Sequence, residues 1–66
     1  MQITINGESR DVKEGLTILA LLEELELQPD AMVVQRNDHV IEHDAFANTQ
    51  LEEGDVIELV RFVGGG

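Results

Sequence analysis

Apolar and polar side chains alternate at the start of the chain. Ile3 and Ile5 have polar neighbours on both sides, which is the period-two pattern of a strand with one buried face. The Asn6-Gly7 pair that follows favours a two-residue hairpin, because both residue types tolerate positive φ. The sequence therefore predicts a hairpin whose return strand covers residues 8 to 13.

The pattern then changes to a helical period. Four apolar residues recur at i, i+3, i+4 and i+7, namely Ile18, Leu21, Leu22 and Leu25. Thr17 precedes them and can cap the first turn with its hydroxyl. Pro29 disfavours helical geometry in the residue before it, so we expect the helix to end near Leu27.

The second half of the chain returns to strand patterns. Residues 32–36 and 40–41 predict two strands joined by a tight turn at Asn37-Asp38. Residues 42–50 have no clear period and predict a loop or short helical turn anchored by Phe46. A turn at Gly54 leads into a final strand over residues 56–62.

These elements predict an α+β fold with a mixed sheet of four to five strands and one helix packed on one face. The first and last strands can pair in parallel, because the helix between them supplies the crossover connection. We expect one domain over residues 1–63, followed by a flexible glycine tail at 64–66.

The chain ends in Gly64-Gly65-Gly66, which adds little to folding because glycine costs entropy to order. Without side chains, such a tail can enter a narrow site on another protein and present the Gly66 carboxylate there. The alternative is a terminus that frays and has no reactive role.

The last strand presents two different faces. Ile57 and Leu59 share one face, whereas Val60 and Phe62 share the other. If the first pair contacts the helix, the second pair is exposed beside the tail and predicts a partner surface over Val60, Arg61, Phe62 and Val63. The alternative is that Phe62 folds back into the core.

Fourteen acidic and four basic residues give a net charge of −10, which repels nucleic acids and anionic membranes. The charge favours partners with basic docking surfaces, or it serves solubility alone. The sequence shows neither a signal peptide nor an apolar run of membrane-spanning length. Cysteine is absent, so we expect a protein of the reducing cytoplasm.

Candidate catalytic chemistry within the chain is sparse. It has no cysteine and a single serine, so we expect no catalytic residues and no bound cofactor. His39 and His43, with Asp38 and Asp44, have a spacing that can place metal ligands on one face. We favour an exposed polar turn for these residues and predict no metal site.

The order of elements resembles the ubiquitin-like β-grasp fold, and particular segments resemble the ThiS family of sulfur carrier proteins. The matching segments are Ile5-Asn6-Gly7, Gly15-Leu16-Thr17-Ile18, Leu21-Leu22-Glu23-Glu24-Leu25, Val33-Val34 and Arg36-Asn37-Asp38. The closing block from Leu51 to Gly66 is similar almost position by position. The chain departs from the family at Asn37-Asp38, where Asn-Gly is common, and in the His- and Asp-rich residues 39–44.

The resemblance implies a protein co-substrate for thiamine biosynthesis. A ThiF-type adenylyltransferase would use ATP to activate the Gly66 carboxylate, and a sulfur donor protein would convert it to a thiocarboxylate. A ThiG-type thiazole synthase would then receive the sulfur. The alternatives are the small subunit of molybdopterin synthase, a ubiquitin-like modifier and an interaction domain with an inert tail.

Overall fold

A computed structural model describes residues 1–62, which form a five-stranded sheet with one α-helix on one face. The elements are β1 (Gln2–Ile5), β2 (Glu8–Asp11), α1 (Ile18–Glu24), β3 (Met32–Arg36), β4 (His39–Ile41) and β5 (Val56–Arg61). The strand order is β2-β1-β5-β3-β4, and β1 and β5 are parallel while the other pairs are antiparallel. This confirms the predicted α+β architecture and its central parallel pair.

Both hairpins turn through two residues with positive φ. Asn6 and Gly7 have φ values of 48° and 84°, and Asn37 and Asp38 have values of 51° and 70°. Positive φ at both central positions matches the right-handed twist of the flanking strands. The tight turns predicted at both places are confirmed.

Strand ends differ slightly from the sequence prediction. β2 ends at Asp11, opposite Gln2, rather than at residue 13, although the Val12 amide still donates to the Met1 carbonyl at 2.8 Å. β4 begins at His39, one residue earlier than predicted, and β5 ends at Arg61, one residue earlier. These differences move strand ends by one or two residues and leave the order of the elements as predicted.

Helix α1 begins as predicted and ends earlier than predicted. The Thr17 hydroxyl accepts a hydrogen bond from the Ala20 amide at 3.1 Å. The helix ends at Glu24 because Glu26 adopts a left-handed conformation, with φ of 59°. The Leu27 amide then donates to the Leu22 carbonyl at 2.9 Å, which closes the helix three residues before Leu27.

The core lies between α1 and the sheet and is largely aliphatic. Its buried apolar residues are Ile3, Leu16, Ile18, Leu21, Leu22, Met32, Val34, Phe46, Leu51, Ile57 and Leu59. Phe46 follows a short 3-10 turn at His43–Ala45 and is buried, as predicted for the loop between β4 and β5. Within residues 1–62, no helix is long and apolar enough to span a membrane.

Candidate functional site at the C-terminal strand

Strand β5 lies at the centre of the sheet and leads toward the C-terminus. Ile57 and Leu59 face α1 and are 0% and 9% exposed, while Val60 and Phe62 are 55% and 60% exposed. The predicted placement of Val60 and Phe62 on the open face is therefore confirmed. Phe62 is not part of the core, so the alternative placement of its ring is wrong.

The exposed end of β5 adjoins β3 on the sheet. Val60 pairs with Val33, which is half-buried on the same face, and extends the apolar surface onto β3. Beyond the strand, the Phe62 amide donates to the Ala31 carbonyl and holds the Phe62 backbone beside β3. We call Val33, Val60 and Phe62 the outer patch.

Arg61 is exposed and pairs with Met32, on the opposite face from the outer patch. Its guanidinium forms no ion pair with any of residues 1–62. A role for Arg61 in partner docking stays a prediction.

The start of β5 is fixed by a buried carboxylate. Asp55 is 5% exposed, and its Oδ2 accepts from Arg36 Nε at 2.9 Å and from the Glu52 amide at 2.8 Å. Its Oδ1 accepts from Asn37 Nδ2 at 3.1 Å. Arg36 also bonds Glu52 at 2.9 Å, so one arginine joins the end of β3 to the loop before β5.

The pKa of Asp55 reflects this environment. Burial raises the pKa, but it is outweighed by the hydrogen bonds from the Glu52 amide, Asn37 and Arg36 and by the Arg36 charge. The net result is a pKa below the usual value for aspartate. The ionised carboxylate is thus the form that stabilises this junction.

Two asparagines hold β5 through their side chains. The Asn37 Oδ1 accepts from the Val56 amide at 2.9 Å, at the beginning of the strand. The Asn6 Oδ1 accepts from the Leu59 amide at 2.8 Å, and its Nδ2 donates to the Leu59 carbonyl at 3.2 Å. The sequence identified both asparagines as turn residues and gave no sign of these contacts, because no local signal marks partners that are 53 and 19 residues away.

The two histidines contact backbone carbonyls. His39 Nδ1 lies 3.0 Å from the Asn37 oxygen, and His43 Nε2 lies 2.9 Å from the Met32 oxygen. A carbonyl only accepts, so these nitrogens are the protonated ones. The His43 ring also packs against Phe46, with centroids 5.0 Å apart. Among residues 1–62, no group of three or more potential ligands is arranged for a metal ion.

The remaining predicted site residues lie outside the described residues. They are Val63 at the end of the proposed docking segment, Gly64 and Gly65 in the tail, and Gly66 with the reactive carboxylate. Their assigned roles, and the domain boundary after residue 63, stay predictions.

A single helix across a mixed sheet of this order, with its central strand leading to the C-terminus, defines a ubiquitin-like β-grasp protein. A family model described as "ThiS family" matches residues 3–66. The chain therefore belongs to the ThiS family.

Individual relatives agree with this assignment. The crystal structure of thiamine biosynthesis protein ThiS from Geobacter metallireducens is 36% identical, with a TM-score of 0.87 and full coverage of both chains. The sulfur carrier protein ThiS of Bacillus subtilis is 35% identical over 65 residues, which are 97% of this chain and 98% of that protein.

Longer relatives contain a segment similar to the whole chain. The thiazole synthase of Paramagnetospirillum magneticum is 36% identical over 66 residues, and that of Magnetococcus marinus is 38% identical. Each alignment includes the whole of this chain but only 20% of the thiazole synthase.

Proposed function

We propose that this chain is a sulfur carrier protein for thiazole formation in thiamine biosynthesis, and that it is a co-substrate rather than an enzyme. The match to the ThiS family over residues 3–66 carries the proposal, because the matched range includes Gly66. The B. subtilis relative, named a sulfur carrier protein over nearly the same length, supports it.

The reacting group in this proposal is the Gly66 carboxylate. With a reference pKa of about 3.5, it is ionised at neutral pH and resists nucleophilic attack. A ThiF-type adenylyltransferase joins a carboxylate oxygen to the α-phosphate of ATP and releases pyrophosphate. A sulfur donor protein then supplies sulfur at the oxidation level of sulfide, which attacks the acyl carbon of the adenylate and forms a C–S bond. The bond from the acyl carbon to AMP breaks, AMP leaves, and Gly66 carries a thiocarboxylate.

The outer patch and the tail have different roles in binding a partner. Gly64, Gly65 and Gly66 enter the partner's active site, where side chains would not fit. The segment from Val60 to Val63 docks on the partner surface, with Phe62 supplying the largest exposed apolar area. The exposure of Val60 and Phe62, at 55% and 60%, supports this role because apolar side chains beside a terminus are available to a partner.

A ThiG-type thiazole synthase is the proposed sulfur acceptor. It receives the sulfur and leaves a carboxylate that can be activated again. Two thiazole synthases contain a segment similar to this entire chain, which supports a direct encounter between the two kinds of domain. We place these encounters in the cytoplasm. A sequence without cysteine needs no oxidising compartment, and a net charge of −10 is compatible with a carrier protein.

Complementation tests the pathway. The gene for this chain should restore growth without thiamine to a bacterium that lacks its own ThiS, and a version without Gly65 and Gly66 should not. Restored molybdenum-enzyme activity in a strain that lacks the small subunit of molybdopterin synthase, without restored thiamine synthesis, would contradict the proposal. It would favour the molybdopterin alternative.

A further inference from the structure

The turn between β1 and β2 contains a side chain that continues the pairing of the sheet. In the parallel ladder, the Thr4 amide donates to the Asp55 carbonyl and the Asn6 amide donates to the Ile57 carbonyl, both at 2.9 Å. The donors and acceptors advance by two residues at each step. The next step requires a donor for the Leu59 carbonyl.

That donor is the Asn6 side chain. The main chain leaves the sheet at Asn6, where φ is 48°, so β1 offers no further backbone groups to β5. The Asn6 Nδ2 donates to the Leu59 carbonyl, and its Oδ1 accepts from the Leu59 amide. The carboxamide therefore occupies the place of one further peptide group of β1.

Among residues 1–62, these are the last hydrogen bonds that the β1 side makes with β5. Backbone pairing of β1 with β5 ends at Ile5 and Ile57, whereas β3 pairs with β5 as far as Arg61. Leu59 directly precedes Val60, the first residue of β5 on the outer patch. The direction of the exposed end of β5 thus depends on Asn6 on one side and on β3 on the other.

We propose that Asn6 is a positioning residue for the activation of the C-terminus, because it holds Leu59 and thereby orients the outer patch for the activating enzyme. The inference rests on the proposed function. Without the carboxamide, the end of β5 samples several directions, and only a fraction of the molecules has the geometry that docks. The apparent affinity for the activating enzyme is then the intrinsic affinity multiplied by that fraction.

The test compares Asn6→Gly with Asn37→Gly. Glycine suits the positive φ at both turns, so neither change strains the backbone. Each variant loses two side-chain hydrogen bonds, Asn6 at Leu59 and Asn37 at Val56 and Asp55. Only Asn6→Gly acts on the end of β5 that carries the outer patch. The substrate is the full chain, with a ThiF-type enzyme and ATP, at a temperature where circular dichroism shows every variant folded.

We expect Asn6→Gly to raise the KM for activation about tenfold, the effect of roughly 1.4 kcal/mol, while kcat changes less than about twofold. Hydrogen exchange of the Leu59 amide should accelerate by at least the same factor, because it loses its acceptor. Asn37→Gly should leave the KM within about twofold of the wild-type value.

Two results would overturn the inference. One is an unchanged KM for Asn6→Gly. The other is an equal rise in KM for Asn6→Gly and Asn37→Gly, which would show that Asn6 only stabilises the fold. A wild-type chain that no ThiF-type enzyme activates would instead contradict the proposed function. The two failures are therefore distinguishable.

Discussion

Arg36 Nε lies 2.9 Å from Asp55 Oδ2, so the last residue of β3 is tied to the residue that precedes β5. The side chains are 20% and 6% exposed, and the carboxylate also accepts from the Glu52 amide and from Asn37. A buried carboxylate with this many donors stabilises the fold only while all of them are satisfied. The central strand that leads to the tail is therefore anchored electrostatically at its start.

Replacing Asp55 with asparagine should lower the free energy of unfolding by about 2 to 3 kcal/mol, because an amide cannot accept from donors at both of its positions. Urea unfolding followed by circular dichroism measures the change. Asp44→Asn, an exposed substitution of the same type, serves as the control and should stay within about 0.5 kcal/mol of wild type. Equal stability of Asp55→Asn and wild type would show that the hydrogen bonds and ion pair of Asp55 make no net contribution to the free energy of unfolding.

The lowered pKa of Asp55 predicts a specific pH dependence. The folded state binds the Asp55 proton more weakly than the unfolded state does, so the stabilisation by the ionised Asp55 is fully present above the ordinary pKa of an aspartate in the unfolded chain. It is lost as the pH falls through the lower folded pKa. The stability advantage of wild type over Asp55→Asn should be constant near pH 6 and should shrink in acid. An advantage that persists unchanged into strong acid would contradict the pKa assignment.

Replacing Glu26 with glycine should stabilise the protein by about 1 kcal/mol, because the left-handed conformation at φ 59° strains every residue that has a Cβ. Loss of a carboxylate from the negative end of the α1 dipole acts in the same direction. Thermal unfolding measures the gain. Glu24→Gly removes the same charge at the last helical residue, where φ is not left-handed, and should instead destabilise by up to about 1 kcal/mol. If both variants lose stability, the helix closure described above is incorrect.

Replacing Phe62 with aspartate should weaken docking and leave the fold intact, because the ring is 60% exposed. We expect the KM for activation to rise at least tenfold, as for loss of a central apolar contact in an interface. The melting temperature should change little. Val40→Asp is the matched control, since Val40 is also 60% exposed but lies on β4, two strands away from β5. An unfolded Phe62→Asp variant, or an equal defect in Val40→Asp, would refute the docking role.

Most of the fold could be predicted from the sequence because its signals are local. The alternation around Ile3, the Asn6-Gly7 pair and the apolar spacing from Ile18 each specify an element within a few residues. Period-two alternation in β5 predicted Phe62 on the open face, but only its exposure in the structure excludes a ring folded into the core. The resemblance to the ThiS family supplied the chemistry of the tail, which periodicity alone does not contain.

The contacts that anchor β5 could not be predicted in the same way. Asn6 meets Leu59 across 53 residues, and Asp55 meets Arg36 across 19, so each pairing exists only once the sheet has formed. The early end of α1 was missed because its left-handed residue is Glu26, where glycine is the usual signal. Local patterns specify elements, whereas the side chains that join them depend on tertiary packing.

Intact mass spectrometry shows whether Gly66 becomes a thiocarboxylate. The chain is incubated with ATP, a ThiF-type adenylyltransferase and a sulfur source, and its C-terminal fragment is then sequenced. A sulfur carrier should gain the mass that corresponds to the exchange of one oxygen for sulfur, located at Gly66 and absent when Gly65 and Gly66 are deleted. An unmodified Gly66, or a tail joined to lysine side chains of other proteins, would contradict the proposed function.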